Sequence, residues 1–122
     1  MTRAVRTPPS RHDFTDCIAE CEECHRVCLS AIDHCLMEGG DHATADHIRL
    51  LQDCAQICAT SADFMIRSSP LHVHTCLACA EVCERCAEEC ERRGNDEAMQ
   101  RCAEACRACA ESCRKMSEMP IA

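Results

Sequence analysis

Apolar positions recur at steps of three and four along most of this chain, and the residue that fills them is cysteine. Cys17, Cys21, Cys24, Cys28 and Cys35 follow steps of 4, 3, 4 and 7. Cys76, Cys79, Cys83, Cys86 and Cys90 follow steps of 3, 4, 3 and 4, and Cys102, Cys106, Cys109 and Cys113 steps of 4, 3 and 4. At about 100° per residue, each set falls on one helical stripe less than about 90° wide. A strand needs a period of two, which none of these sets shows. A fourth segment is sparser: Cys54 and Cys58 share their stripe with His47, Leu50, Leu51, Ser61 and Met65.

Punctuation between the stripes predicts four helices, near 11–38, 42–67, 71–93 and 96–117. Ser10 with Asp13 starts the first, Gly39-Gly40 ends it, and Asp41 can cap the second. Ser69-Pro70 opens the third, Gly94-Asn95 closes it and caps the fourth, and Pro120 ends the last. Short turns between long helices make antiparallel neighbours, so the expected fold is all-α: an up-down-up-down four-helix bundle with a Cys-lined core. Residues 11–118 form that single domain, with 1–10 a disordered N-terminal tail and 119–122 a C-terminal tail. Beside the thiol stripe, helix one carries Ile18, Leu29, Ile32 and Leu36, and helix two Ile57 and Phe64. These suit packing against a neighbouring helix or contact between bundles.

Composition sharpens the picture. Leu, Ile, Val and Phe make up only about 15% of the 122 residues, which with a net charge of −8 would ordinarily mean disorder. The 16 cysteines are what replaces the hydrocarbon core. With no Trp or Tyr, only Phe14 and Phe64, and an acidic balance, base stacking and phosphate binding are both disfavoured. No stretch has the apolar length of a signal peptide or a membrane span. The expected setting is the cytoplasm, where thiols stay reduced, with no nucleic-acid or membrane partner.

Seven cysteine pairs stand at i, i+4: 17/21, 24/28, 54/58, 79/83, 86/90, 102/106 and 109/113. Their Cβ atoms lie about 5–6 Å apart on a helix, too far for an unstrained disulfide but suited to converging on one ion. Thiolates select soft metals: Cu(I), Zn or iron–sulfur clusters. Sixteen thiolates in four independent Zn(Cys)₄ sites would leave about −8 inside the bundle, whereas an equal number of Cu(I) ions leaves none. Charge therefore favours Cu(I), about one per thiolate.

Other readings are weaker. The C-x-x-C runs lack the βαβ setting of a redox motif. Cys21-Glu-Glu-Cys24-His25 matches a haem attachment string but lies inside a continuous thiol stripe, with His25 off-axis. Iron–sulfur ligation uses loops rather than a thiol at every helical turn. Cysteine as mere core filler does not account for sixteen in register. At the end shared by the 1–2 and 3–4 turns, His47 and Met99 continue their stripes beside Cys35, His42 and Cys90. Imidazole and thioether there suit uptake and handover of Cu(I). The far end collects Cys17, Met65, His72, Cys76 and Met116. His12, His34 and His74 are expected in solvent.

Over residues 14–117 the chain resembles the bacterial copper storage proteins, the Cys-rich four-helix-bundle family. The resemblance rests on C-x₃-C-x₂-C-x₃-C at Cys17–Cys28 and again at Cys79–Cys90, on Asp53-Cys-Ala-x-Ile-Cys58, and on Arg101-Cys-Ala-Glu-Ala-Cys106. It implies Cu(I) held along the axis, chiefly by C-x₃-C pairs, with loading and release through one open end. It also implies the cytosolic branch, whose members form homotetramers. Ala31, His47 and Met99 stand at stripe positions that can be Cys in relatives, and the His-rich start of helix four is replaced by Asp96-Glu-Ala-Met99. The function expected is storage and buffering of many Cu(I) ions without catalysis, all sixteen cysteines with His47 and Met99 as ligands. The alternatives are a copper chaperone or metal-responsive interaction protein, handing copper to an acceptor, and a Zn or mixed-metal thiol buffer.

Overall fold

The cysteine periodicity is realised as four long helices. A computed structural model describes residues 11–119, with side chains from residue 14. The helices are α1 (Arg11–Glu38), α2 (Ala45–Ile66), α3 (His72–Glu91) and α4 (Glu97–Ser117), with a 3-10 turn at Gly40–Ala43 between the first two. Each helix packs its backbone against two others in the cyclic order α1, α2, α3, α4, and the diagonal pair α2 and α4 meets through sulfurs on the axis, Cys58 with Cys109 and Cys54 with Cys106 at 3.8 Å. With turns of this length, neighbours run antiparallel. No helix among the described residues is long and apolar enough to cross a membrane.

The helix ends depart from the sequence expectation in four places. Asp41 does not cap α2: the chain leaves α1 through Gly39 (φ +73°) and Gly40 (φ +55°), and Asp41 is taken up in the 3-10 turn. Thr44 is the cap instead, its Oγ1 accepting the His47 N–H at 3.3 Å. α4 is capped by Asp96, not Asn95, with Oδ1 accepting from the N–H groups of Ala98 (2.9 Å) and Met99 (3.2 Å). α3 stops at Glu91, before the expected 93, because Gly94 turns the chain at φ +68°. Ser69-Pro70 does not open α3 either: the helix starts at His72 with Leu71 as an N-cap that makes no side-chain bond, and Ser69 Oγ accepts the Leu71 N–H at 3.1 Å in the preceding turn. Ser10 lies outside the described residues.

Every cysteine is at most 1% exposed. The thiol stripes therefore meet on the axis. Alanines one heptad apart flank them on three helices: Ala55 and Ala62, Ala80 and Ala87, Ala103 and Ala110, all buried. Their small side chains let the backbones approach closely enough for sulfurs to touch across the bundle. Leu51 is the largest fully buried hydrocarbon, while Leu50 sits half-buried at the flank of its stripe. The second apolar strip divides. Ile18, Ile32 and Ile57 pack against the core, whereas Leu29 and Leu36 remain about half exposed (49% and 58%).

The cap assignment makes an early test. Thr44→Ala should cost about 1 kcal/mol in urea unfolding of the metal-free protein, the usual loss for an N-cap. Asp41→Ala, at an exposed side chain, should stay within about 0.5 kcal/mol. The reverse order would restore Asp41 as the cap.

Candidate metal centre

From Cys17 to Cys102 the sulfurs form one continuous column along the axis. From the far end inward, Cys17 Sγ lies 3.7 Å from Cys113, which is 3.4 Å from Cys21. Cys21 meets Cys109 at 3.6 Å, and Cys109 meets Cys58 and Cys79 at 3.8 Å. Cys83 touches Cys54 and Cys58 at 3.6 Å, and Cys24 touches Cys106 at 3.7 Å. Cys28 continues to Cys102 at 3.9 Å. Every cysteine is a free thiol; these separations are nearly twice a sulfur–sulfur bond of about 2.05 Å. Three of the seven i, i+4 pairs are in direct sulfur contact: Cys24–Cys28 at 3.9 Å, Cys79–Cys83 at 3.8 Å and Cys109–Cys113 at 3.9 Å.

Four groups of four thiols converge closely enough to surround an ion: Cys21, Cys79, Cys109 and Cys113; Cys24, Cys58, Cys83 and Cys109; Cys24, Cys28, Cys54 and Cys106; and Cys28, Cys86, Cys102 and Cys106. A tetrahedron with metal–sulfur bonds of about 2.3 Å has edges of about 3.8 Å, so each group alone would admit zinc. The groups are not separate, however. Cys24, Cys28, Cys106 and Cys109 each belong to two of them. A sulfur that serves two ions is a bridge, and a column of bridges lowers the number of thiolates per cation. Bridging sulfurs suit a soft monovalent ion, which can share its thiolates with the next ion along the axis, better than structural zinc, which takes a closed set of four ligands of its own.

Protonation couples the column to its cargo. In the middle, Cys106 is pushed far up by its hydrogen bonds to Cys102, Cys24, Cys28 and Cys54, with burial adding to them. Its partners Cys54 and Cys102 are held down chiefly by the Cys106 S–H. A few thiolates can thus exist only because their neighbours stay protonated. At the end of the column Cys35 is pushed up to about 11, mainly by burial. Each further thiolate needs a cation in exchange for its proton.

The two ends of the column differ. At one, Cys35 Sγ lies 3.5 Å from His47 Nε2 and 3.8 Å from Met99 Sδ, bringing together three residues that the sequence places on three separate helices. His47 Nδ1 is buried and has no hydrogen-bond partner. Burial, then the Arg93 cation, push this imidazole below its ordinary value, so it stays neutral and able to ligate. The ring borders a groove between α2 and α3 that also contains Thr44, Glu89 and Arg93. At the opposite end, His72 is fully buried with Nδ1 3.0 Å from Ser69 O and Nε2 3.2 and 3.1 Å from the carbonyls of Met116 and Met119. The Phe14 ring packs edge-on against it at 5.1 Å. That end is stoppered by hydrogen bonds; at the other, Cys35, His47 and Met99 face one another.

The other expected positions sort by the same contacts. Cys76 meets Ser61 Oγ at 3.3 Å, and Cys90 is buried beyond Cys86 and Cys102. His25 bonds the Ala55 carbonyl through Nδ1 at 2.9 Å, which ties α1 to α2. His74 is exposed, as expected, and the side chain of His12 lies outside the described residues. His34 corrects the reading: it is not simply solvated, because its Nε2 lies 2.7 Å from Asp96 Oδ2. Arg93 was not legible as a site residue. Its side chain is 6% exposed, with Nη1 donating to Glu89 O (2.6 Å) and Nη2 to Asp41 O (3.0 Å), which sets a buried cation at the His47 end.

A four-helix bundle cored by shared thiol sites defines a class of protein that hosts several soft metal ions in one interior. Residues 10–118 match the copper storage protein family, and the chain belongs to it. A structure of the Nmul_A1745 protein from Nitrosospira multiformis is 44% identical, covers 89% of this chain and 98% of that one, and superposes with a TM-score of 0.83. The Cu(I)-bound copper storage protein BsCsp3 of Bacillus subtilis is 37% identical over 86% of this chain and 98% of its own (TM-score 0.80). A cytosolic copper storage protein from Streptomyces lividans, loaded with five coppers, is 34% identical over 88% and 94% (TM-score 0.82). The cysteine-rich protein YhjQ of Bacillus subtilis is 40% identical over 66 residues, 54% of this chain and 61% of that protein.

Loading should release protons. Titrating reduced protein with Cu(I) near pH 7 in weak buffer should liberate about one proton for each ligand thiol that is still protonated. The sign follows from Cys35: below its raised value the proton competes with the metal, so affinity falls as pH falls. Uptake without proton release would mean that the column already exists as thiolates.

Proposed function

We propose that this protein stores and buffers many Cu(I) ions along the bundle axis, with no catalysis. The observation that carries the reading is the column of four-thiol groups joined through Cys24, Cys28, Cys106 and Cys109. The ligands are the sixteen cysteines, with Cys35, His47 and Met99 as the loading and release end. Two features support that end: the neutral imidazole with a free Nδ1, and His72 sealing the other. The bundle domain spans residues 11–118. The setting is the cytosol, as for the Streptomyces relative, and the assembly is a homotetramer, as the family resemblance implies. The flank of α1 that carries Leu29, Leu36 and Met37 (81% exposed) is the apolar surface such an assembly would cover. Light scattering on the metal-free protein should give four chains; a monomer would remove the tetramer.

Anaerobic titration against a Cu(I) chelator is the decisive experiment. A break between about 12 and 20 ions per chain, of the order of one per thiol, is expected. One or two would instead make the protein a chaperone that passes copper to an acceptor, and about four would favour a zinc or mixed-metal buffer. Capacity is distributed, so Cys83→Ser should lower the count by only one or two. His47→Ala should leave the count nearly unchanged but alter the rate at which the chelator removes copper. If that variant exchanges copper at the wild-type rate, release does not pass through the His47 end.

A further inference from the structure

Outside the thiol column, three side chains from three different segments converge on one point. His34, in the last turns of α1, places Nε2 2.7 Å from Asp96 Oδ2. His42, in the 3-10 turn, places Nε2 2.8 Å from the same oxygen. The two rings stand edge-on, with centroids 5.8 Å apart and planes at 75°. All three ligand atoms lie within 4.8 Å of one another. Asp96 cannot swing away, because its other oxygen caps α4 through Ala98 and Met99. Its Oδ2 is left aimed at the two imidazoles.

We propose that His34, His42 and Asp96 form a second metal site of different chemistry, which takes one borderline divalent cation such as Zn²⁺. Two imidazoles and a carboxylate are ligands of that class, with one position left for water, whereas Cu(I) is drawn to the sixteen sulfurs. Ligand bonds of about 2.0–2.1 Å require neighbouring ligand atoms about 3.3 Å apart. The two Nε2–Oδ2 contacts would open by roughly 0.5 Å, within the reach of side-chain rotation. The ion would replace the hydrogens that now lie between Nε2 and Oδ2. The three side chains are partly exposed (29%, 22% and 16%), and His34 opens onto a surface groove with Met37, Ala98 and Arg101. The net charge of −8 favours a cation. The site is built from the segments that carry the mouth ligands: His34 precedes Cys35, the 3-10 turn leads into His47, and Asp96 caps the N–H of Met99. It goes beyond the copper reading and does not depend on it.

The test uses the full-length protein. Reduced protein is first saturated with Cu(I) and the copper counted, which examines storage before zinc is added. Zn²⁺ is then supplied anaerobically, excess is removed, and retained zinc is compared between wild type and His34→Gln/His42→Gln. One additional zinc per chain in wild type, at equal copper content, with the ring resonances of His34 and His42 shifted on binding, is the expected result. Asp96→Asn keeps a capping oxygen and should weaken zinc at least about tenfold. Equal zinc retention by wild type and the double variant, or unmoved histidine resonances, would overturn the site and leave a structural ion pair only. If copper loading itself fails, the storage reading falls at the first step. The same comparison on metal-free protein then decides the site, because thiol-bound zinc is common to both chains.

Discussion

Charge neutrality inside the bundle is the constraint on which the rest of this structure depends. Sixteen sulfurs line one axis almost fully out of water, and neighbours along it lie as close as 3.4–3.9 Å. They cannot ionise together, because each buried anion beside another is penalised by both desolvation and repulsion. As thiols they pack as small apolar groups; as thiolates they need a cation in place of each lost proton. The same column can therefore serve as a hydrophobic core without metal and as a ligand array with it. Sharing of Cys24, Cys28, Cys106 and Cys109 between adjacent groups lowers the number of thiolates needed per cation in a narrow interior.

Cysteine alone would not make a bundle this tight. The paired alanines beside the stripes on α2, α3 and α4 remove side-chain bulk where helices cross, so sulfurs from facing helices meet at 3.4–3.9 Å. Larger residues there would hold the helices apart. Ion pairs such as Arg107–Glu91 and Arg114–Glu84, both 2.7 Å, lie on the exposed α3–α4 surface. Exposed pairs of this kind add little stability. Helix pairing rests on the buried contacts, and the absence of a large hydrocarbon core makes metal an obvious contributor to stability by linkage.

The two ends show how one column acquires a direction. His72 spends both ring nitrogens on backbone carbonyls and sits against Phe14. His47 faces a sulfur with one nitrogen and leaves the other unpartnered. Two histidines on the same kind of stripe thus do opposite work, one as a stopper and one as a candidate ligand. Arg93 adds to the difference: its buried charge, present only at the His47 end, disfavours imidazolium there.

The phase of the cysteines was enough to determine helix, stripe and inward direction. A 3.6-residue period repeated in every segment has one geometric solution, and short turns leave one simple topology. Soft-metal chemistry followed from the ligand type alone. Local capping was legible only in kind. Asp41, Thr44, Asn95 and Asp96 are all plausible caps, and which one acts depends on backbone torsions that the preceding glycines set. Long-range pairings were not legible at all. That Cys21 meets Cys109 and Cys113, that His34 and His42 share an oxygen of Asp96, and that Arg93 is buried beside the mouth depend on the vertical offset and rotation of one helix against another. Those offsets come from packing across the bundle, summed over many weak contacts, and no local spacing encodes them.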